Sequence, residues 1–222
     1  MNKVVVAYFW KIEKKSLPFA FISMARDRAR LRRSRGVHFA KMLGTGTGEH
    51  FTPSDADLSR WGTLVVIDEA QLDAIDNNSV IKGWNNRSTN EVRLVLDPIA
   101  AHGLWSGSNP FDWSHTPAAD VKVVAITRAR IKWLQNFRFW SAVPPVSAEL
   151  HQSPGLIAAI GIGEAPIGLQ GTFSLWENGK ALRDFAYKGQ AHQKAIEATA
   201  QYNWYAEELF SRFAVRHVRG QL

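Results

Sequence analysis

Residues 155–164 have the sequence GLIAAIGIGE, and residues 37–48 have the sequence VHFAKMLGTGTG. Both are short apolar runs that end in a Gly-x-Gly, a pattern that predicts a strand followed by a close backbone turn. In each case another strand is predicted to follow and to begin at a threonine, at residues 172–176 (TFSLW) and 63–67 (TLVVI). This repeated pair of strands predicts that the chain contains one structural unit twice.

The elements around these strands complete the same order in each half: strand, helix, strand ending in glycines, strand, helix, strand. In the first half, strands are predicted at residues 4–12, 37–43, 63–67 and 91–96, with helices at 16–33 and 68–84. In the second half, strands are predicted at residues 121–131, 155–164, 172–176 and 214–219, with helices at 141–150 and 178–187. A further helix, at residues 190–213, is predicted before the last strand.

This order is that of the ferredoxin-like βαββαβ unit, in which helices cover one face of a four-stranded antiparallel sheet. The predicted fold class is therefore α+β, with two such units whose sheets pair into a closed barrel and leave pockets between sheet and helices. We predict an N-terminal half over residues 1–108 and a C-terminal half over residues 121–222. Residues 109–120 are rich in Pro, Ser, Asp and Asn, which predicts a linker between them.

The composition indicates a globular protein with room for an apolar ligand. The chain of 222 residues is 45% hydrophobic and has nine Trp and twelve Phe, which can fill a core or line a pocket for a flat or long apolar molecule. It has no cysteine, which excludes disulfides, thiolate-ligated haem and cysteine-ligated iron–sulfur clusters. The apolar run at residues 4–10 is too short for a membrane span or a secretory signal, so we expect a cytoplasmic protein.

The net charge of +7 favours anionic partners. Arginines are concentrated in the later half of the predicted helix at residues 16–33 and just beyond it: Arg26, Arg28, Arg30, Arg32, Arg33 and Arg35. The inner face of this helix is expected to hold Phe19, Ile22, Ala25 and Ala29. The arginines then form either a solvated basic surface or a contact for anionic membrane lipid or an acidic electron donor. No nucleic-acid-binding motif accompanies them, so nucleic acid is not a predicted partner.

Several catalytic motifs are absent. Neither glycine-rich loop is predicted to lead directly into a helix, so these loops are tight turns or places where the backbone approaches the flat face of a cofactor, rather than phosphate sites. Residues 97–107 are predicted to form a loop in which His102 lies near Trp105. The histidine and its neighbours Asp97 and Ser106 are too close in sequence for a hydrolase triad, and no HExxH motif predicts zinc.

Residues 190–213 (QAHQKAIEATAQYNWYAEELFSRF) predict one long helix, because residues that recur at steps of four and three share one face. These residues are His192, Ile196, Thr199, Tyr202, Ala206, Leu209 and Phe213. His192 lies in the predicted first turn, where the partial positive charge of the helix N-terminus disfavours imidazolium and leaves a neutral ring able to ligate a metal. The residues alone leave two interpretations of His192, a core histidine and a metal ligand.

Eight segments, in order along nearly the whole chain, resemble the spheroidene monooxygenase family of carotenoid biosynthesis. They are FAKMLGTG (39–46), PIAAHGLWSG (98–107), ITRARI (126–131), RFW (138–140), VSA (146–148), GIGE (161–164), TFSLW (172–176) and WYAEELFSRF (204–213). The resemblance implies a protein that contains haem b and uses O₂ and an electron donor, such as reduced ferredoxin, to oxygenate a carotenoid or similar apolar polyene to a keto product. It also implies a dimeric α/β-barrel fold; a homo-oligomer is compatible with this fold but is not required, because the barrel can close within one chain.

The resemblance further implies roles for particular residues. A helix-borne histidine as the axial ligand of the haem iron corresponds to His192, which follows Gly189-Gln190-Ala191 where the family favours Gly-Pro before the histidine. The implied partners of the haem propionates, which otherwise have structural or surface roles, are Lys41, Arg128 and Arg138. The implied walls of the haem or substrate cavity, which otherwise belong to the core, are Trp105, Trp140 and Trp176.

Other functions remain open on the same scaffold. They are a haem-dependent dehydratase or peroxidase-like enzyme, a cofactor-free oxygenase, and a module that binds haem or lipid without turnover. Because a carotenoid resides in a membrane, a peripheral membrane location is a further expectation, with the arginines of residues 26–35 facing anionic headgroups.

Overall fold

A computed structural model describes residues 2–49, 52–118, 120–132, 136–165, 171–189 and 205–222. Within these residues the strands are β1 Lys3–Ile12, β2 Val37–Gly46, β3 Ala56–Asp68, β4 Ser88–Gly103, β5 Val123–Ile131, β6 Leu156–Gly163, β7 Gly171–Trp176 and β8 Tyr205–Arg219. The α-helices are α1 Leu17–Arg32, α2 Leu72–Asp76, α3 Ser79–Asn85, α4 Asn136–His151 and α5 Gly179–Lys188. Short 3₁₀ turns lie at Lys14–Ser16, Pro53–Asp55 and Glu69–Gln71.

The strands form one closed antiparallel barrel in the order β1-β3-β2-β6-β7-β5-β8-β4. Strands β1–β4 come from the first half of the chain and β5–β8 from the second, and helices follow the first and third strands of each half. The predicted α+β fold of two ferredoxin-like units is therefore confirmed. The barrel closes within one chain, and a homo-oligomeric state stays a prediction.

The glycine-ended strands mark a seam between the two halves. Strands β2 and β6 pair over three positions only, where Gly44 lies opposite Gly163 and Gly46 lies opposite Gly161. Glycine within a strand is typical of barrel corners and of places where another backbone comes close. The second seam is the longer pairing of β4 with β8.

Strand β1 is apolar on both faces because both of its faces are covered. Along β1, the side chains of Ala7 and Phe9 point into the barrel, where they join the larger apolar cluster of the protein. The alternate residues, Tyr8 and Trp10, point outward and pack under α1 and α3. A continuous hydrophobic run is therefore the expected pattern for such a strand.

The segment between β4 and β5 helps to close one end of the barrel. The predicted linker, residues 109–120, contains no helix or strand in its described part. It is nevertheless packed into the fold, because Phe111 is only 2% exposed and meets Phe213 of β8 edge-on at a centroid distance of 4.9 Å. Just before it, Trp105 is also buried in the barrel core.

The predicted inner face of α1 is largely wrong. Ile22, Ala25 and Ala29 are exposed, and only Phe19 of the predicted set is half-buried. The buried residues are instead Ala20, Ser23, Met24, Asp27 and Leu31. The helix is turned because the Asp27 carboxylate is satisfied in the interior, where it accepts a hydrogen bond from the Trp84 indole at 3.2 Å and pairs with Arg30 at 3.0 Å.

The predicted helix at residues 190–213 is wrong over its last third, because residues 205–213 belong to strand β8. Leu209 and Phe213 face the barrel interior as predicted, but Ala206 is exposed, since side chains alternate along a strand. Ladders to β4 on one side and β5 on the other close the barrel and override the local helical pattern. Residues 190–204, including His192, lie outside the described residues.

Two other helices differ in extent from their predictions. The predicted helix at residues 68–84 is a 3₁₀ turn followed by the two short helices α2 and α3, which are separated because Asn78 caps the second by accepting a hydrogen bond from the amide of Val80. The predicted helix at residues 141–150 begins earlier, at Asn136, and carries its two prolines in its interior.

Candidate functional site

A cavity of about 450 Å³ lies on the outer face of the C-terminal sheet, under α4 and α5. Its floor comes from β4, β5, β7 and β8, and its roof from the two helices. A volume of this size falls within the range of about 300–1,000 Å³ usual for cofactor and ligand sites. A larger groove of about 790 Å³ between α4 and α5 is more open and has no histidine among its lining residues.

The cavity exists because the two halves of the barrel differ in the size of their outward side chains. In the first half this layer is filled, as shown by Trp10, which stacks on Trp84 at a centroid distance of 5.2 Å. In the second half the corresponding layer is lined by small residues of β5 and β7, namely Ala125, Thr127, Thr172 and Ser174. Small residues over a sheet leave space that the helices do not fill.

The walls of the cavity are apolar. Leu150 of α4 and Leu182 and Phe185 of α5 line it. Trp176, one of the predicted wall residues, supports this wall from behind, because it is fully buried and stacks with Phe185 at a centroid distance of 5.4 Å. Its indole N–H donates to the hydroxyl of Ser174 at 2.9 Å, so its polar atom is satisfied within the protein.

Three basic side chains, one histidine and two arginines, line this cavity. They are His102 of β4, Arg183 of α5 and Arg212 of β8. The sequence analysis did not identify any of the three as a site residue, and its placement of His102 in a loop is wrong, because β4 continues to Gly103. The available signal was the alternation of the strand, which separates His102 from the inward-facing Ala101.

The predicted propionate partners Lys41 and Arg128 lie elsewhere, inside the barrel near its Trp105 end. Both are at least 95% buried. Glu164, which follows β6, joins them: its carboxylate pairs with the ammonium of Lys41 and with Nη2 of Arg128, the latter at 3.0 Å. The indole of Trp105 donates to the same carboxylate at 2.7 Å. We call these residues, together with Glu207, the barrel charge cluster.

Glu207 of β8 completes the barrel charge cluster. Its carboxylate pairs with Arg128 and accepts hydrogen bonds from the backbone amides of Ser106 and Gly107 at 3.0 and 2.8 Å. Lys41 also donates to the hydroxyl of Ser106 at 2.6 Å. The cluster therefore balances two cations with two carboxylates and fastens the turn after β4 over the end of the barrel.

The environment of the cluster shifts the pKa values of its members. Burial raises the pKa of Glu164, but hydrogen bonds from Lys41 and Trp105 and the nearby positive charges outweigh burial, so this pKa lies below its ordinary value. Burial likewise raises the pKa of Glu207, and the backbone amides and Arg128 lower it further than burial raises it. Burial lowers the pKa of Lys41 despite its pairing with Glu164.

We expect the free energy of unfolding to fall as the pH drops below about 4.5, the ordinary glutamate pKa. Because the folded-state pKa values of Glu164 and Glu207 lie below that of the unfolded chain, their contribution is present above this pH and is lost as the pH falls through the folded-state values. Urea unfolding at a series of pH values from about 6 to about 3 measures the loss. Glu164→Gln should flatten the dependence, whereas Glu177→Gln, at an exposed carboxylate, should leave its slope unchanged.

The remaining predicted site residues are only partly placed. Arg138 and Trp140 lie on α4, and their side chains are outside the described structure. His192 lies outside the described residues altogether, but Tyr187, five positions before it in the chain, lines the cavity. Among the described residues, no group of three or more His, Asp or Glu side chains is arranged to hold a metal ion. In that same part of the chain, no helix is long and apolar enough to cross a membrane.

The fold defines a class, the barrels of two ferredoxin-like units, and in this chain a cavity lies under the helices of the C-terminal half. In overall fold the chain is similar to the crystal structure of an aldoxime dehydratase, with a TM-score of 0.62 and 10% identity over 96% of this chain and 81% of that one. At that identity the likeness concerns the fold alone.

Sequence comparison identifies the family within this class. The chain is 37% identical over 210 residues to spheroidene monooxygenase from Rhodobacter capsulatus, covering 92% of this chain and 86% of that protein. It is 34% identical over 181 residues to spheroidene monooxygenase from Cereibacter sphaeroides, of which it spans 55%. The chain matches no protein-family profile. The chain belongs to the spheroidene monooxygenase family, and it is thus an oxidoreductase of the monooxygenase type.

Proposed function

We propose that this chain is a haem-dependent monooxygenase that oxygenates a carotenoid or a similar apolar polyene, using O₂ and electrons from a reduced ferredoxin or a similar donor. The observation that carries the proposal is the C-terminal cavity, which combines apolar walls with one imidazole and two guanidinium groups. The family relationship supports the reaction class and the carotenoid substrate, since both relatives are named spheroidene monooxygenase.

The lining of the cavity is chemically suited to haem b. Leu150, Leu182 and Phe185 offer apolar surface for the flat macrocycle and exclude water from it. Arg183 and Arg212 offer guanidinium groups, which bind carboxylates such as the propionates in a bidentate manner. Lys41 and Arg128 already have carboxylate partners and face the barrel interior, so we propose Arg183 and Arg212 for the propionates. When bound, the haem supplies O₂ activation, which no amino-acid side chain performs.

Two histidines have proposed roles at the cavity, one in holding the haem and one in proton transfer. We propose His192 as the axial ligand, which is supported by the family resemblance and by the chain leaving the cavity at Tyr187 shortly before it. His102 is the only histidine among the described cavity residues, and it can hold or move a proton at its ring nitrogens. At His102 strand β4 is paired with Phe210 of β8, which fixes the position of the His102 backbone beside the cavity.

The proposed function is tested by reconstituting the purified chain with haem and then supplying O₂, reduced ferredoxin or dithionite, and spheroidene. We expect a Soret band after reconstitution and an oxygenated polyene that contains ¹⁸O when ¹⁸O₂ is used. A Soret band without any product would favour a haem-binding module. The absence of a Soret band, together with product formation, would favour a cofactor-free oxygenase.

We expect His102→Ala to keep haem and to weaken the binding of a polar exogenous ligand. Loss of one hydrogen bond corresponds to about 0.5–1.5 kcal/mol, so the cyanide affinity of the ferric protein should fall by about 2- to 12-fold. Cyanide titration followed by absorbance measures this change. His102→Gln, which keeps a donor, should recover part of the affinity, and His217→Ala, at an exposed site on β8, should change nothing. Loss of the Soret band in His102→Ala would instead identify His102 as the axial ligand.

A further inference from the structure

The outward face of α1 carries large apolar side chains that stay exposed, although Phe21 meets Trp61 of β3 edge-on at a centroid distance of 5.6 Å. Ile22 is 61% exposed and Phe21 is 41% exposed, and Ala25 continues the same face one turn further along. The opposite face, with Ala20 and Met24, packs against the N-terminal sheet and α3, so the orientation of the helix is fixed. The exposure of Ile22 is therefore a built-in property of the fold.

Arginines continue this face toward the C-terminal end of the helix. Arg28 and Arg32 are exposed on the helix, and Arg33 and Arg35 are exposed just beyond its last residue. Within the described residues, none of these four side chains makes a hydrogen bond or an ion pair, whereas the neighbouring Arg26 and Arg30 are paired with the buried Asp27. Four unpaired guanidinium groups thus adjoin an exposed apolar stripe on one helix.

We propose that this surface, which we call the α1 face, docks on anionic membrane lipid. Helices that lie in a membrane interface place apolar residues at the boundary between headgroups and acyl chains, with arginines at the surrounding phosphates. Ile22 and Phe21 match the first role, and the unpaired arginines match the second by charge and by their bidentate fit to phosphate. An acidic protein partner would match the arginines but gives no reason for the exposure of Ile22.

The docking links the fold to the proposed chemistry. A polyene substrate resides in the bilayer, so an enzyme that acts on it must reach the membrane surface. This reason rests on the proposed function, whereas the binding itself depends only on the α1 face. Docking is therefore measured on the full chain without haem or substrate, so that failure of docking and failure of the proposed function are separate results.

The test is co-sedimentation with vesicles of phosphatidylcholine alone and with vesicles that also contain phosphatidylglycerol. We expect binding to the anionic vesicles that weakens as salt is added, and little binding to the neutral ones. Reversal of three charges, Arg28→Glu, Arg32→Glu and Arg33→Glu, should lower the partition coefficient on anionic vesicles by about 100-fold or more. Ile22→Ser alone should lower it by several-fold, because it removes only the apolar contact.

A matched control tests whether vesicle binding depends on the α1 face or only on the net charge of the protein. Lys122, Arg130 and Lys132 are exposed cations on and beside β5, and their reversal to glutamate gives the same change in net charge. This control should keep most of the binding, and Ile157→Ser, at an exposed site on β6, should keep it fully. Equal binding of the wild-type chain to both kinds of vesicle, or equal losses in the two triple variants, would overturn the proposal. The proposal would also be overturned if the triple α1 variant bound vesicles as the wild type does but, once loaded with haem, was reduced more slowly by ferredoxin. That result would identify the α1 face as the binding site of the electron donor.

Discussion

We expect Glu164→Gln to lower the free energy of unfolding by about 3 kcal/mol. This is the lower end of the ~3–5 kcal/mol lost when one partner of a buried ion pair is removed. The variant leaves Lys41 and Arg128 with a single carboxylate, so one positive charge remains uncompensated in the barrel. The Lys41 side chain is 2% exposed and cannot regain water without moving the turn above it. We expect a value at the lower end of this range because the Glu164 side chain is itself 26% exposed.

The same cluster predicts that a double replacement is milder than the sum of the two single ones. Lys41→Met removes one cation and leaves a surplus negative charge, and should also be strongly destabilising. Lys41→Met with Glu164→Gln removes one charge of each sign and leaves Arg128 paired with Glu207. The double variant should therefore be more stable than the sum of the single effects indicates, with a coupling of about 1–3 kcal/mol.

Urea unfolding of the four proteins in this cycle measures the coupling. The control is Lys180→Met, which breaks the exposed Lys180–Asp184 pair on α5 and should cost only about 0.3–0.5 kcal/mol. An effect of Glu164→Gln as small as that of the control would contradict the view of the cluster as a buried network. Unchanged m-values are required for the comparison, because a changed slope would report a different unfolded state.

The repeated strands were the part of the fold that the sequence predicted best. The Gly-x-Gly ends and the threonines that follow are local signals, and in the structure Gly44 and Gly163 lie opposite each other at the seam between the halves. Strand β8 could not be predicted in the same way, because Leu209 and Phe213 are four residues apart and fit both a helical face and the inner face of a strand. Only its pairing with β4 and β5, which are distant in sequence, decides between them.

The candidate site shows the same division between local and distant information. Arg128 continues the inward alternation of Val124 and Ile126, so its burial was visible in the sequence, but its partners Glu164 and Glu207 lie 36 and 79 residues away. The cavity depends on small outward residues in one half where the other half has Tyr8 and Trp10, a contrast that only an alignment of the two units in space reveals.

Haem binding should depend most strongly on His192. Loss of an outer-shell partner lowers metal affinity by about 10- to 100-fold, so loss of the axial ligand itself should lower haem affinity by more than about 100-fold. The expectation rests on the family resemblance and on the position of His192 in the chain between α5 and β8, both of which line the cavity. The measurement is the Soret band of His192→Gly during titration with haem, beside the wild-type chain and His102→Ala.

Adding free imidazole to His192→Gly distinguishes loss of the haem ligand from misfolding of the variant. The glycine variant leaves space for a free imidazole, which should restore the Soret band and its wild-type position if His192 is the ligand. Circular dichroism should show the same fold for His192→Gly and wild type, because the described strands β1–β8 close the barrel by their own pairing. If His192→Gly bound haem with unchanged affinity and spectrum, the axial ligand would be another histidine, and His102 in the cavity would be the first to test. If neither variant altered the spectrum, the haem would be held outside the C-terminal cavity, and its apolar walls would be left for the polyene alone.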